Sequence, residues 1–304
     1  AGQGVIAVGT YSMLVFLTQR LLWPLTRLGA TFDLYQRAMA SADRALDLLY
    51  LKPDINAGAV PISTPVIGQI EFDSMSFAYP DREALFDNFN LSIQSGETVA
   101  LVGSTGSGKT TLTRLLLGLY KPTSGSIFID GQRLSDLEIR SVRSHIGLVS
   151  QSVYLFPGSI GENILYGRPG ASLSDMHKAA KNAECLPFIN DLPHGFDTEI
   201  GERGVLLSGG QAQRLSIARC LLKDPSIVIF DEATSSIDNE TEQAIQRTFH
   251  RLSGEKTTII IAHRLSTVRH AHHIIVLDDG EAVETGRHDA LVSRGGRYAK
   301  MWAI

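Results

Sequence analysis

Cysteine is almost missing from this chain. Its 304 residues hold two, Cys185 and Cys220, far apart and without metal or redox spacing. That excludes a disulfide-stapled secreted scaffold and a cysteine-based metal motif. Two reduced, mostly buried thiols in a cytosolic domain are expected instead. A positive excess is also missing. Against 32 acidic residues stand 28 Lys and Arg, for a net charge of −4, so no overall basic field draws nucleic acid or an anionic surface. No internal repeat is visible, which removes repeat architectures. The chain opens at Ala1 inside an apolar run, with no basic leader region and no cleavage site. That pattern argues against a signal peptide and suggests a piece of a longer protein.

A long unbroken apolar run is lacking too. Residues 5–17 are almost wholly apolar, but Gln19 and Arg20 interrupt before Leu21, Leu22, Trp23 and Leu25 resume. Taken whole, residues 5–28 could span a membrane if Arg20 and Arg27 snorkel or face a polar path. A buried core helix is the alternative, and hydropathy does not separate the two. Pro24 is expected to kink the helix without ending it. Over residues 33–50, Leu34, Ala38, Ala42, Ala45 and Leu49 recur at helical spacing among charged residues, an amphipathic pattern. Pro53, Pro61 and Pro65 with Gly58 and Gly68 then read as a linker.

From Gly68 onward the pattern is α/β. Ile70, Phe72 and Phe77 suggest a strand. Asp130-Gly131 is a turn signal after a strand at 126–129. Short β-branched runs at 227–230, 258–262 and 274–277 read as strands buried on both faces of a mostly parallel sheet. Residues 171–222 are helical in pattern, with a break at Leu192-Pro193 and another near 207–211.

The strongest motif is GSTGSGKT, with Gly103, Gly108, Lys109 and Thr110 at the spacing of a phosphate-binding loop. A buried strand is expected before it, over 97–102, and an apolar-faced helix after it. That order aims backbone N–H groups and the positive end of a helix at phosphates. Lys109 is expected to reach the β- and γ-phosphates, and the Thr110 hydroxyl to ligate Mg²⁺. IVIFDE, residues 227–232, ends a buried strand in two carboxylates. Asp231 suits the Mg²⁺-orienting role and Glu232 the general base for an attacking water. His270, His272 and His273 cluster before a strand and are read as exposed histidines, not as metal ligands.

A second motif, LSGGQ at residues 207–211, has no derivation from spacing. It resembles the signature of the ATP-binding cassette family. Further residues carry the same resemblance, in the family's order. Tyr79 in SFAYP is similar to the aromatic that stacks on adenine. Gln151 in GLVSQ is similar to the glutamine that senses Mg²⁺ and the γ-phosphate. His263 in IIIAHR is similar to the switch histidine, and Asp238 in SSID to the aspartate of the loop that crosses to the partner subunit. The resemblance runs from Gly68 to the C-terminus.

It implies that Tyr79 and the run Gly103, Ser104, Thr105, Gly106, Ser107, Gly108, Lys109, Thr110 and Thr111 bind ATP, together with Gln151 and Asp231. Thr110, Gln151 and Asp231 would surround Mg²⁺. Glu232, His263, Gln151 and Lys109 would serve catalysis. Leu207, Ser208, Gly209, Gly210 and Gln211 would complete the site of a second chain. The implied fold is a P-loop, RecA-like core with a small antiparallel portion near residues 68–93 and a helical subdomain near 155–222, preceded by a transmembrane helix. The divisions expected are 1–52 for that helix and its cytosolic extension, 53–68 for the linker, and 69–304 for the nucleotide domain.

TEIGERG, residues 198–204, resembles the segment by which exporters of the family contact their membrane domain. The implied function is ATP hydrolysis driving export of a small molecule, lipid or peptide. The implied partners are a second half-transporter chain, identical or related, and membrane lipid, with no nucleic acid. The implied setting is a bacterial inner membrane, with the nucleotide domain in the cytoplasm. The rival readings are a soluble cassette ATPase, a nucleotide switch without turnover, and an importer ATPase.

Overall fold

A computed structural model describes residues 6–51, 58–201, 204, 206–231, 239–262 and 265–303. The chain divides into two compact units, Ala1–Asp54 and Ile55–Ile304.

In the first unit the two expected helical stretches are one helix, α1 (Val8–Tyr50), which runs through Pro24. At 1.5 Å per residue its 43 residues extend about 65 Å. Thr18, Thr26 and Thr31 turn their hydroxyls back onto the carbonyls of Leu14, Trp23 and Arg27, and Asp33 pairs with Arg37 one turn later. The expected membrane span is not met by composition. Among the described residues no helix is long and apolar enough to cross a membrane. Gln19, Arg20 and Arg27 fall inside the candidate window and lower its hydropathy.

The second unit begins with β1 (Ile70–Ala78) and β2 (Ala84–Ile93), followed by β3 (Thr98–Gly103), α2 (Lys109–Leu116), β4 (Ser124–Ile129) and β5 (Gln132–Arg133). Next come α3 (Ile139–Ser144), β6 (Ile146–Val149), α4 (Ile160–Leu165), α5 (Leu173–Asn182), α6 (Leu186–Asn190) and α7 (Gly209–Leu222). The unit closes with β7 (Ile227–Asp231), α8 (Asn239–Leu252), β8 (Thr257–Ile261), β9 (His273–Asp278), β10 (Glu281–Gly286), α9 (His288–Ser293) and α10 (Arg297–Trp302).

Two sheets result. One is antiparallel, in the order β2-β1-β4-β5, so the small β portion extends past residue 93 to residue 133. The other has the order β10-β9-β3-β8-β7-β6, parallel from β9 to β6, with β10 antiparallel at one edge. Strand β3 lies between β9 and β8, and all but its last residue are buried. Its side chains alternate between two cores, because strand side chains point to opposite faces in turn. Ala100 and Val102 join the cluster formed with α4, α5 and α7. Val99 and Leu101 join the cluster formed with α2 and the antiparallel sheet. Burial on both faces is why these strands read as continuous apolar runs.

The Asp130-Gly131 signal is a two-residue hairpin turn, with φ of 50° and 73° at the two positions. Asp and Gly tolerate such angles. The expected linker is different in kind. Residues 52–57 lie outside the described residues, while residues 58–69 are fastened to the domain. The Asp130 carboxylate accepts N–H bonds from Ile67 (2.8 Å), Gly68 (3.0 Å) and Gln69 (2.7 Å). Gln132 accepts from the Ser63 N–H and Ser141 from the Ile62 N–H. Pro61 and Pro65 carry no N–H, so neither adds a donor that the strap must satisfy.

Both cysteines are buried and unbridged. Burial pushes the Cys220 thiol up to about 12 and raises Cys185 as well. Neither thiol is a nucleophile at neutral pH.

Candidate nucleotide site

Strand β3 delivers the chain to the loop 104–108, and α2 begins directly after it. Three loop glycines have positive φ: Gly103 at 150°, Gly106 at 89° and Gly108 at 104°. Two of them are also sterically required. A methyl at Gly103 would run into the carbonyl of Leu277 on the neighbouring β9, and one at Gly108 into the ring of Phe86. A methyl at Gly106 would meet nothing within 4 Å. Its exposed face is therefore open to an approaching group.

Gly108 caps α2 without any side-chain bond, so the first-turn N–H groups point into the loop. Lys109 is only 5% exposed. Its ammonium donates to the carbonyls of Gly103 (2.9 Å) and Ser104 (2.7 Å) and lies 3.4 Å from Ser107 Oγ. Cation, helix start and turned-in amides converge on one spot, which is an anion site.

Beside the loop lies a cleft of about 330 Å³, walled by Tyr79, Arg82, Leu85, Thr105, Lys109 and Thr110 among others. Tyr79 is held from two sides. Its hydroxyl lies 3.0 Å from Thr111 Oγ1, and its ring meets Phe77 and Tyr120 edge-on at 4.9 and 5.2 Å. Tyr120 carries no recognisable signal in the sequence, because its role depends on the return of the chain after α2. Smaller cavities lie elsewhere, at Arg168 and Asp224 and between Gly118, Ser126 and Leu134. The glycine loop and Lys109 single out this one, not its volume.

Asp231 ends β7, the second strand from β3, in register with Ile261. Gln151 follows β6, whose last residue Val149 pairs with Phe230. Asp231 and Gln151 thus leave adjacent parallel strands at the carboxyl ends, where open α/β sheets bind ligands. Glu232, Asp238 and His263 lie outside the described residues. Thr110, Gln151 and Asp231 all offer oxygen, the donor type a small hard cation prefers, so this set fits Mg²⁺. Of the clustered histidines, at the other end of β3 from the loop, His272 Nδ1 accepts the Thr98 N–H (2.9 Å) and His273 pairs with Glu97. Those two rings have structural work at the start of β3.

The LSGGQ segment has a local explanation that the sequence reading missed. Ser208 is the N-cap of α7. Its hydroxyl accepts the Gln211 N–H (3.2 Å), while Gln211 Oε1 accepts the Ser208 N–H (2.9 Å). Ser-x-x-Gln before a helix is a capping box and was readable as one. The two glycines differ. A methyl at Gly210 would strike Thr241 of α8, whereas one at Gly209 would meet nothing within 4 Å. Of the TEIGERG segment, Glu202 and Arg203 lie outside the described residues. Glu199 pairs with Ser159 in an isolated bridge, and Ile200 is fully buried.

Strand, glycine loop, buried lysine and helix start, with acidic and amide groups on the next strand ends, define a P-loop nucleotide-binding domain. Residues 86–235 match the family model described as ABC transporter. An ATP-dependent lipid A-core flippase of Chromobacterium violaceum is 43% identical over all of this chain and 52% of its own length. A putative multidrug export ATP-binding/permease protein of Staphylococcus aureus is 47% identical over 99% of this chain and 52% of its own length. A solved structure of a bacterial Atm1-family ABC exporter with ATP bound is 39% identical, superposes with a TM-score of 0.83, and is matched over 99% of this chain and 53% of that one. The chain belongs to the ABC transporter family. It spans about half the length of the curated relatives it matches.

Proposed function

We propose that this chain is the ATP-hydrolysing part of an ABC exporter and that it works as one of a pair. The observation that carries the reading is the separation of its two phosphate-type loops. The cleft holding Lys109 and Thr110 is walled by residues 79–85 and 105–111, and none of residues 207–211 contributes to it. The α7 start nevertheless presents an open glycine at position 209. Two chains facing each other would bring Ser208 of one to the phosphate loop of the other. Each site would then gain donors that exist only in the closed pair.

Within a site, Tyr79 stacks on adenine, Lys109 and the loop amides bind the phosphates, and Glu232 takes the proton of the attacking water. Gln151 and His263 orient that water and the γ-phosphate. Thr110, Gln151 and Asp231 hold Mg²⁺, which neutralises phosphate charge when bound. Asp238 crosses to the partner. Helix α1 belongs to the membrane-associated part. Its exposed Leu14, Phe16, Trp23 and Phe32 are covered there by other helices and lipid, with Arg20 and Arg27 turned toward protein. The partner is a second half-transporter, the cargo a small molecule, lipid or peptide, and the setting a bacterial inner membrane with the nucleotide domain in the cytoplasm.

Mixing two defective chains tests the pairing. Lys109→Ala removes the phosphate cation, and Ser208→Arg blocks the α7 start. Each homodimer carries its lesion at both sites. The mixed dimer has one site with both lesions and one with neither. ATP hydrolysis in the mixture above both parents is expected. No recovery on mixing, together with turnover strictly proportional to protein concentration, leaves a monomeric ATPase.

A further inference from the structure

The chain between α2 and β4 borders a second cavity, of about 260 Å³, whose walls share no residue with the phosphate-loop cleft. Much of its wall is aliphatic. Ile127 and Leu137 are buried there, and Leu134 and Ile139 are half-buried. The strap closes one side. Gly58 lies against the Asp136 carbonyl, where a methyl would collide, and the Val60 carbonyl accepts the Glu138 N–H at 2.7 Å. Among the described residues, the charged groups lining this cavity are both cations, Lys121 and Arg133, and no acidic residue lines it.

Arg133 is oriented in advance. Its Nε donates to Ser126 Oγ at 2.8 Å, and its Nη2 donates to the same oxygen. Ser126 is only 6% exposed, so one edge of the guanidinium is pinned against the wall. The N–H groups of the other edge, on Nη1 and Nη2, have no partner among the described residues. That edge has the spacing that takes a carboxylate through two parallel hydrogen bonds. Lys121 is exposed, and its ammonium has no partner among the described residues. The volume falls just below the roughly 300–1,000 Å³ usual for small-molecule sites, which suits a compact ligand. Tyr120 joins the two cavities. It borders this one, and its ring lies 5.2 Å from that of Tyr79, which walls the phosphate-loop cleft. Tyr120 is still 36% exposed. An occupant with a ring of its own would cover it edge-on or offset and hold it against Tyr79.

We propose that this cavity is a second ligand site, for a compact aromatic carboxylate, and that its occupant tightens ATP binding through Tyr120 and Tyr79. The carboxylate takes the free edge of Arg133 with Lys121 beside it, and the rings lie on Ile127, Leu134 and Leu137. The effect on ATP rests on the reading of Tyr79 given above, while the site itself does not.

The probe is 2-naphthoate, with neutral 2-naphthamide as its isostere, titrated calorimetrically into the full chain in detergent without nucleotide. All proteins share one detergent, so uptake by micelles cancels. Wild type should bind one naphthoate per chain, about 10-fold or more tightly than naphthamide, as a charge-assisted bidentate pair implies. Arg133→Met keeps the apolar stem and should lose that preference. If it fails to fold, Lys121→Glu, at an exposed position, should cut naphthoate affinity about 10-fold and leave naphthamide unchanged. No saturable binding, equal affinity of wild type for the two probes, or a preference that survives the substitution overturns the site. Saturating naphthoate should also lower the Kd for ATP, measured without Mg²⁺, by about 5-fold, and Tyr120→Leu should remove that shift. Naphthoate binding with an unchanged Kd for ATP overturns the coupling. A chain that binds naphthoate and not ATP defeats the nucleotide reading instead.

Discussion

Helices α2 and α7 both have glycine where the chain enters the helix, at the cap of one and the first turn of the other, yet they are finished in opposite ways. Helix α2 starts from Gly108 with no side-chain cap, and the loop before it is closed by the buried ammonium of Lys109. Helix α7 starts from Ser208 inside a complete capping box and presents its first turn outward. The first start has its own cation and turned-in amides, the makings of an anion site within one chain. No lysine or arginine among the described residues bonds to the second start as Lys109 does to the first. The capping box uses the amides of Ser208 and Gln211 and does not use that of the exposed Gly209. On the paired reading proposed above, one start is a site and the other is part of one.

The sharpest way to break this contrast is Lys109→Ala. If the α2 start depends on its cation, turnover should drop by about 10²-fold or more, as for loss of a preorganised electrostatic group. Steady-state phosphate release measures it, and near wild-type turnover would deny Lys109 its role.

Next in size comes the pair of glycines at α7. Gly210→Ala forces a methyl onto Thr241, so about 1–3 kcal/mol of stability should be lost through overpacking. Gly209→Ala should leave urea unfolding within about 0.5 kcal/mol and still reduce turnover of the pair. A stability loss at 209 equal to that at 210 would mean that Gly209 serves packing alone.

A third variant, Ser208→Ala, deletes the cap and should cost about 1 kcal/mol. If its loss of turnover greatly exceeds its loss of stability, the hydroxyl acts on nucleotide as well as on Gln211.

The smallest effect concerns the mount of α7. Arg214 of α7 donates to the Glu184 carbonyl, while the Glu184 carboxylate pairs with Arg247 and Arg251 of α8. Burial opposes ionisation of Glu184, but hydrogen bonds and charge from Arg251 and Arg247 outweigh it and hold the carboxyl below its ordinary value. A depressed carboxylate stabilises the fold above its unfolded pKa, and that contribution fades as pH falls through the folded value. Glu184→Gln should therefore cost about 1 kcal/mol at neutral pH, given that both arginines are half exposed. The difference from wild type should shrink as pH falls below about 4.5. Urea titrations at neutral and acid pH check it. A gap that persists in acid would assign the loss to shape and not to charge.

The two helix starts were not equally legible in the sequence. Gly103, Gly108, Lys109 and Thr110 lie within eight residues of one local geometry, so spacing alone pointed to the α2 start and its flanking strand. The α7 start entered only by resemblance, although Ser208 and Gln211 stand at capping-box spacing. The contacts that seat α7 were invisible, because Arg219 meets Asn163 across 56 residues and no local pattern reports such a pairing. The same holds for the strap. Its prolines and glycines pointed to a linker, while the hydrogen bonds that fasten its later part come from Asp130, over 60 residues away. The apolar stretch near the N-terminus was right as helix and too generous as a span, because charged and amide side chains within it dilute its hydropathy.

The sheet order carries a consequence for synthesis. Strand β3 has only β8 and β9 as hydrogen-bonding neighbours, and β8 begins roughly 150 residues later. At about 5–20 residues per second on the ribosome, the strand that feeds the phosphate loop waits about 8–30 s for its first partner. The antiparallel sheet can close by residue 133 in the meantime. During that interval Thr98–Gly103 is an apolar edge with unpaired amides. The part of the chain that carries the nucleotide chemistry is thus the part that a nascent-chain chaperone has most reason to shield.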